Sequence, residues 1–340
     1  DKYKSASMKS LQTQPKNQKK TATGQRSTRE SELEKIQEEH DIIPAILEYR
    51  EIQKLLSTYI DNMLSMLDEE DRLHADFVQA GTTTGRMASH NPNLQNIPIK
   101  SEAGRKIRRA FVAEKGKLLA AFDYSQIELR LAAFLSRDEK LIQIFKDGQD
   151  VHAAVAAQMF GVSQDEVTYE MRRRAKVINF GILYGMGVNA LKTNLDVERA
   201  EAQEYLNKYF ETFAGLAEYI DKTKAEATRL GYTTTHFGRK RYFPGLKSKL
   251  PFVRASAERM AINAPMQGTQ ADMIKLAMVE VQREIDTTFS GKVSMVLQIH
   301  DELIFEVDEN ALETFAPRAT KIMESILTEE ETGGVPILVS

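Results

Sequence analysis

LLAAFDYSQIELRLAAFL, residues 118–135, changes its period halfway along. Leu118–Phe122 is an apolar run of strand length and reads as a buried strand. Asp123 ends it in a polar cluster, and a helix follows over roughly Gln126–Leu135. The chain repeats the arrangement 178 residues later. Val293–Ile299 and Leu303–Val307 read as two strands of a hairpin, with His300-Asp301-Glu302 at its tip. Asp123 and Asp301 thus each terminate an apolar strand. If those strands are neighbours, both carboxylates meet at one sheet edge. Two close carboxylates repel and lose hydration unless a cation sits between them. Mg²⁺ suits such a pair, because it takes oxygen ligands and typically uses one or two carboxylates plus substrate phosphates. As isolated residues, each Asp serves equally well in a turn or cap.

Between the two strand ends lies a helical stretch. Thr168 is placed to cap a helix from Tyr169, on which Arg172, Lys176, Phe180 and Tyr184 recur every four residues. Each step drifts only about 40° around the helix, so the four form a slanting stripe, cationic first and aromatic last. A nucleoside triphosphate has the same polarity, with phosphates at one end and a base at the other. A solvated helix with core aromatics gives the same pattern. Gly181, Gly185 and Gly187 are not followed by Gly-Lys-Ser/Thr, which excludes a P-loop.

Further along, Leu206, Tyr209, Phe210, Phe213 and Leu216 mark a helix stopped by Gly231. Pro265 is expected to interrupt a helical pattern that resumes near Thr269 and runs to about Ile285, and a last helix covers about Asn310–Leu327. Upstream, helical periodicity starts near Glu30, and Ile52, Leu55, Leu56, Tyr59, Ile60 and Met63 form one apolar stripe. Residues 73–100 read as loops and short strands. Strands, a helical insertion and more strands imply an α+β core with a helical lobe.

The 340 residues, 42% apolar, suffice for a large core or two to three subdomains and exclude a disulfide miniprotein or general disorder. With no cysteine there are no disulfides, thiolate nucleophiles or cysteine zinc sites, and a reducing compartment is permitted. None of the six histidines has HExxH spacing. No apolar run approaches the roughly 20 residues of a membrane span, so no membrane partner is expected. The net charge of −3 hides an uneven distribution. Basic clusters at residues 1–29, 100–109, 172–176 and 239–254 are compatible with a basic groove in a near-neutral protein. Residues 1–29 read as flexible, and an opening on Asp1 reads as a fragment edge.

Taken together these segments resemble family A DNA polymerases, the bacterial DNA polymerase I type. DYSQIELR (123–130) is similar to that family's first palm motif, RRRAKVINFGILYG (172–185) to its nucleotide-binding finger helix, and QIHDE (298–302) to its second palm motif. TTGR (83–86) and PNLQNIP (92–98) resemble its primer–template contact segment. The order and approximate spacing agree from about residue 22 onward. The resemblance implies a right-hand polymerase fold: antiparallel-sheet palm, helical fingers and a partial helical thumb. Its expected parts are a basic segment over 1–29 (thumb tip or fragment edge), partial thumb over 30–72, palm over 73–135, fingers over 136–255 and palm again over 256–340.

The family's roles carry over residue by residue. Asp123, Asp301 and the Tyr124 carbonyl would hold two Mg²⁺ ions, with Mn²⁺ a possible substitute, and Glu302 would sit near the primer terminus. Arg172, Lys176 and His152 would bind the triphosphate. Phe180 would pack on the nucleotide, Tyr184 would stack beside the templating position, and Gln126 would line the nucleotide site. Glu128, helped by Tyr184, would be the steric gate against a ribose 2′-OH, and Phe180 in place of Tyr implies discrimination against dideoxynucleotides. Arg86, Asn93, Gln95, Asn96, Arg259, Asn263, Gln267 and His300 would contact primer–template DNA. Reading phosphates and near-degenerate minor-groove acceptors suits an enzyme that must hold any sequence. The implied activity is DNA-directed DNA synthesis from dNTPs, in replication or repair gap filling, by a monomer in the cytoplasm at the nucleoid or in an organelle. Missing first thumb helices, a C-terminus short of the last strand and the absence of proofreading are also expected. A single-subunit RNA polymerase and a non-catalytic or inactive truncated DNA-binding fragment are the competing readings; Glu128 argues against the first, and the intact carboxylates argue against inactivation by substitution but not by truncation.

Overall fold

Short polar punctuation in the sequence divides the helices, and long apolar runs decide which of them are buried. The computed structural model describes residues 21, 23–98 and 101–340, so most of the basic segment expected to be flexible lies outside the described residues. The helices are α1 (Glu30–Leu33), α2 (Ile42–Leu55), α3 (Asp61–Leu64), α4 (Glu102–Arg109), α5 (Ile127–Ser136), α6 (Glu139–Lys146), α7 (Val151–Phe160), α8 (Tyr169–Leu183), α9 (Val188–Leu195), α10 (Arg199–Thr212), α11 (Ala214–Leu230), α12 (Pro251–Thr288), α13 (Leu312–Glu324) and α14 (Glu329–Thr332). The strands are β1 (Asp76–Val78), β2 (Ala88–His90), β3 (Lys117–Asp123), β4 (Tyr232–Thr234), β5 (Lys240–Tyr242), β6 (Val293–Ile299) and β7 (Glu302–Asp308). The chain divides into two compact units, Asp1–Asp76 with His90–Phe111, and Phe77–Ser89 with Val112–Ser340. No helix among the described residues is long and apolar enough to cross a membrane.

In the first unit, Leu33, Ile36 and Ile43 form a small core with Ile46 and Leu47. The expected stripe after residue 50 is narrower than its spacing suggested. Leu55, Tyr59 and Met63 are buried, whereas Ile52, Leu56 and Ile60 are exposed. A π-helical stretch over Leu56–Ile60 separates α2 from α3 and shifts the angular spacing there.

The second unit has two cores that share α5. Leu129, Ala132 and Ala133 pack into a helical core drawn from α6 to α11. Ile127, Leu131 and Phe134 pack into a core formed by the sheet with α12 and α13. From Ile127 to Phe134 every residue of α5 is buried except Glu128. The sheet is antiparallel in the order β3-β7-β6. Phe122 meets Phe305 and Phe315 edge-to-face with centroids 5.6 and 5.9 Å apart, contacts worth roughly 0.5–1.5 kcal/mol each beyond area burial.

The expectation of a buried strand over 118–122 needs correction. β3 lies at one end of the strand order, Phe122 is its buried residue, and Leu118 and Leu119 are 41% and 44% exposed. The single helix expected through Phe213 is two, because the backbone leaves the helical region there (φ −112°, ψ 65°). Conversely, Pro265 does not interrupt α12, which runs unbroken for 38 residues. A helix-interior proline costs about 3 kcal/mol or more. Burial of Ala261, Ala264, Met266, Met273, Ile274 and Val281 along the same helix offsets that cost. The last long helix is shorter than expected, Leu312–Glu324.

Candidate active site

The register of the sheet places the two aspartates. β3 and β7 run antiparallel with Asp123 opposite Glu302, and the Tyr124 N–H donates to the Asp301 carbonyl at 3.2 Å. The β6–β7 hairpin turns through His300 and Asp301, so Glu302 belongs to β7 rather than to the tip. His300 takes a left-handed conformation (φ 55°), and Gln298 Nε2 braces its carbonyl at 2.8 Å. Asp123 is fixed from its other side as well. Its N–H donates to Ser340 and its carbonyl accepts from Ser340 N–H, both at 3.0 Å, while Tyr124 bridges Val339.

The two carboxylates repel each other electrostatically. Burial, and then the Asp123 charge, push the Asp301 carboxyl up to about 6. Partial loss of hydration also raises Asp123, which is less buried than Asp301. Glu128 adds to the negative charge on Asp301, and Arg86 opposes it. Burial, then Arg86, lowers His300. No group of three or more His, Asp or Glu suited to a metal occurs among the described residues. The local donor set is therefore two carboxylates with nearby backbone carbonyls.

Glu128 is held at both oxygens. Arg86 Nη2 donates to Oε1 at 2.9 Å, and the Tyr184 hydroxyl donates to Oε2 at 2.6 Å. The same Arg86 nitrogen donates to Gln270 Oε1 at 2.8 Å. Burial, then the bond to Glu128, raises the Tyr184 hydroxyl well above the usual phenol range. Gln126 precedes α5 in a left-handed conformation (φ 52°), which lets the chain turn from Asp123 into the helix.

α8 begins where the spacing predicted, with Thr168 Oγ1 accepting from Met171 N–H at 3.2 Å. Tyr184 follows its C-terminal end, beside Glu128, and Arg172 lies about 18 Å away along the axis. Arg172 and Lys176 are not buried, and Phe180 is half-buried. Arg172 forks onto Asp150 Oδ2 through Nε and Nη2, both at 2.8 Å. Asp150 Oδ1 caps α7, accepting from His152 and Ala153 N–H. Burial alone would raise the Asp150 carboxyl, but these bonds and Arg172 bring it below the usual range. His152 is only 4% exposed. Burial first, then Arg172 and Lys176, lower its imidazole to about 4, and Asn179 Nδ2 lies 3.1 Å from Nδ1. The ring packs against Phe180 at 5.7 Å between centroids.

Arg259, Asn263 and Gln267 repeat every four residues along α12, and none of the three is buried. Asn263 Nδ2 donates to the Leu183 carbonyl at 3.3 Å, and Arg259 lies so close to Gly185 (φ 67°) that a Cβ there would come within 2.9 Å of its side chain. These two residues therefore adjoin the Tyr184 end of α8. Asn93, Gln95 and Asn96 lie in the first unit, where the Asn93 carboxamide accepts from Gln95 N–H at 3.0 Å and caps a short 3-10 turn. The Asn96 carbonyl accepts from the Tyr59 hydroxyl. Two participants were missed in the sequence. Asp150 had a legible signal, an acidic cap directly before the apolar start of α7. Gln270 had none, because only the fold brings it to Arg86.

The model for DNA polymerase family A matches residues 5–340. The chain belongs to DNA polymerase family A. This family A chain is 47% identical over 305 residues to the thermostable DNA polymerase I of Thermus aquaticus, covering 89% of this chain and 36% of that protein. It is 46% identical over 311 residues to DNA polymerase I of Bacillus subtilis, covering 91% and 35%. It thus spans about a third of the length of the curated relatives it matches. The solved POL domain of Pol1 from M. smegmatis, in complex with DNA primer-template and dNTP, matches with a TM-score of 0.88 at 40% identity, over 95% of this chain and 56% of that one. The α+β polymerase fold expected from the motifs is borne out.

Proposed function

We propose that this chain is a DNA-directed DNA polymerase that adds deoxynucleotides to a primer 3′-OH on a DNA template and releases pyrophosphate, as in gap filling. One observation carries the reading. Two aspartates 178 residues apart meet at adjoining strand ends, where the fold holds Asp301 in poor solvent beside a second carboxylate. Such an arrangement is unfavourable alone and favourable around a cation. Its oxygen-only chemistry fits Mg²⁺, with Asp123, Asp301 and the Tyr124 carbonyl as the protein's share of the ligands. When bound, two Mg²⁺ ions would lower the pKa of the attacking hydroxyl and stabilise the leaving oxygen.

The remaining work is positioning, which is most of what phosphoryl transfer asks of a protein. Arg172 exchanges its fork from Asp150 to a phosphate oxygen, and Lys176 adds a point charge. His152 joins them on the triphosphate and packs against Phe180, which lies on the nucleotide. Tyr184 lies beside the templating position, and its hydroxyl with Glu128 closes the space a ribose 2′-OH would need. Gln126 lines that side of the pocket, and Phe180 disfavours dideoxynucleotides. Arg86, Arg259, Asn263, Gln267 and His300 take the primer–template minor groove and backbone, with Asn93, Gln95 and Asn96 as further contacts; Glu302 neighbours the primer end. In this reading residues 73–135 and 256–340 are the palm, 136–255 the fingers and 30–72 part of a thumb. A primer-extension assay in Mg²⁺ tests it, with each dNTP offered singly against four templates that differ at one base. Addition of only the complementary dNTP is expected. Binding without extension, or extension regardless of the template base, would contradict the proposal.

A further inference from the structure

The basic run near residue 239 contains one arginine whose side chain turns inward. Arg239 Nε donates to Asp272 Oδ1 at 2.7 Å, and its Nη2 donates to the Thr84 carbonyl at 2.7 Å and the Gly268 carbonyl at 3.0 Å. The guanidinium lies directly over Gly85 (φ 84°), where a Cβ would come within 2.3 Å of Cζ. A Cβ on Gly268 would meet Thr235 Cγ2 at 2.6 Å and Arg239 Nη2 at 3.0 Å. Glycine at both positions is what lets Nη2 reach both backbone carbonyls. Thr235 fixes the base of the side chain, its Oγ1 accepting from Arg239 N–H at 3.1 Å.

The segment so clamped, residues 82–86, ends in Arg86. Arg86 donates from Nη2 to both Glu128 and Gln270, and its buried Nε has no partner among the described residues. A guanidinium held by one nitrogen is placed largely by where its backbone begins. That backbone is held by Thr82 Oγ1 on the Arg86 carbonyl at 2.8 Å, and by Arg239 on the Thr84 carbonyl. On α12, Gly268, Gln270 and Asp272 supply the anchors, so one helix references both arginines.

We infer that Arg239 is a positioning residue for sugar selection: it fixes the 82–86 turn, the turn aims Arg86, and Arg86 holds the Glu128 carboxylate where it excludes a 2′-OH. This rests on the proposed polymerase reading, in which Glu128 is the gate. A structural ion pair with Asp272 is the competing explanation. Lysine separates the two, since an ammonium keeps the charge on Asp272 but has no second nitrogen to hold the Thr84 and Gly268 carbonyls while the first holds Asp272.

The test compares kcat/KM for a dNTP and the matching rNTP on one template for the wild-type chain, Glu128→Ala, Arg239→Ala and Arg239→Lys, with a thermal melt of each. Glu128→Ala is expected to lower the dNTP-over-rNTP ratio. Arg239→Ala and Arg239→Lys are both expected to lower it by at least about tenfold, mainly through improved rNTP use. Should Arg239→Ala fail to melt cooperatively, Arg239→Lys decides alone. A ratio within about twofold of wild type in Arg239→Lys, while Glu128→Ala loses discrimination, overturns the inference and leaves the gate standing. An unchanged ratio in Glu128→Ala removes the gate itself, and the inference with it.

Discussion

Asp301 and His152 are both held in surroundings that favour their neutral forms, with opposite consequences for pH. The Asp301 carboxyl, at about 6, lies above its ordinary value because of burial and then Asp123. The stability associated with its neutral form is present below pH 4 and is lost as pH rises through 6. Asp301→Asn should therefore raise the metal-free Tm at pH 7, by the equivalent of up to about 3 kcal/mol. Added Mg²⁺ should raise the Tm of the wild type and not of the variant. Thermal melts with and without Mg²⁺ check both. For His152 the imidazole is lowered to about 4 by burial, so the unfolded chain takes up the proton first. Stability should fall from about pH 6.5 toward pH 4, by at most about 1.4 kcal/mol per pH unit. A urea titration across that range should show the slope reduced in His152→Gln.

At the scale of elements, one buried carboxylate joins two helices of the core that packs against α5. Asp138 is 3% exposed, its Oδ1 accepting from Leu141 N–H at 3.0 Å and its Oδ2 from Leu216 N–H at 3.2 Å. It thereby caps α6 and α11 together, and the α11 end lies just beyond the break at Phe213. Asp138→Ala should destabilise the protein by roughly 2–4 kcal/mol, since two buried N–H groups lose their acceptor. Denaturant unfolding measures this. Elements whose signal is local were legible in the sequence: the cap at Thr168, the β6–β7 hairpin and the helix after Gln126. Elements decided by tertiary packing were not. Pro265 sits in a continuous helix because burial along α12 outweighs the lost bond, and Leu118 is exposed on a strand at the end of the sheet order. At the site, Asp123, Asp301 and the α8 stripe could be read from spacing. The Arg86–Gln270 and Arg239–Asp272 contacts span 184 and 33 residues, and no local pattern announces them.

For the whole molecule, a net charge of −3 argues against a nucleic-acid ligand only if charge is spread evenly, and here it is not. DNA affinity should fall steeply with salt, and Arg259→Ala should reduce the slope of log Kd against log salt by about one. Fluorescence anisotropy over a salt series checks both. The central claim is that Asp123 and Asp301 act together on one reaction. It is tested most directly by single-nucleotide primer extension in Mg²⁺ with Asp123→Asn and Asp301→Asn, with DNA affinity measured alongside. Extension should fall by three or more orders of magnitude in each variant, on the scale of losing a metal-assisted step, while DNA affinity stays within a few-fold. Extension at near wild-type rates by either variant would contradict the account.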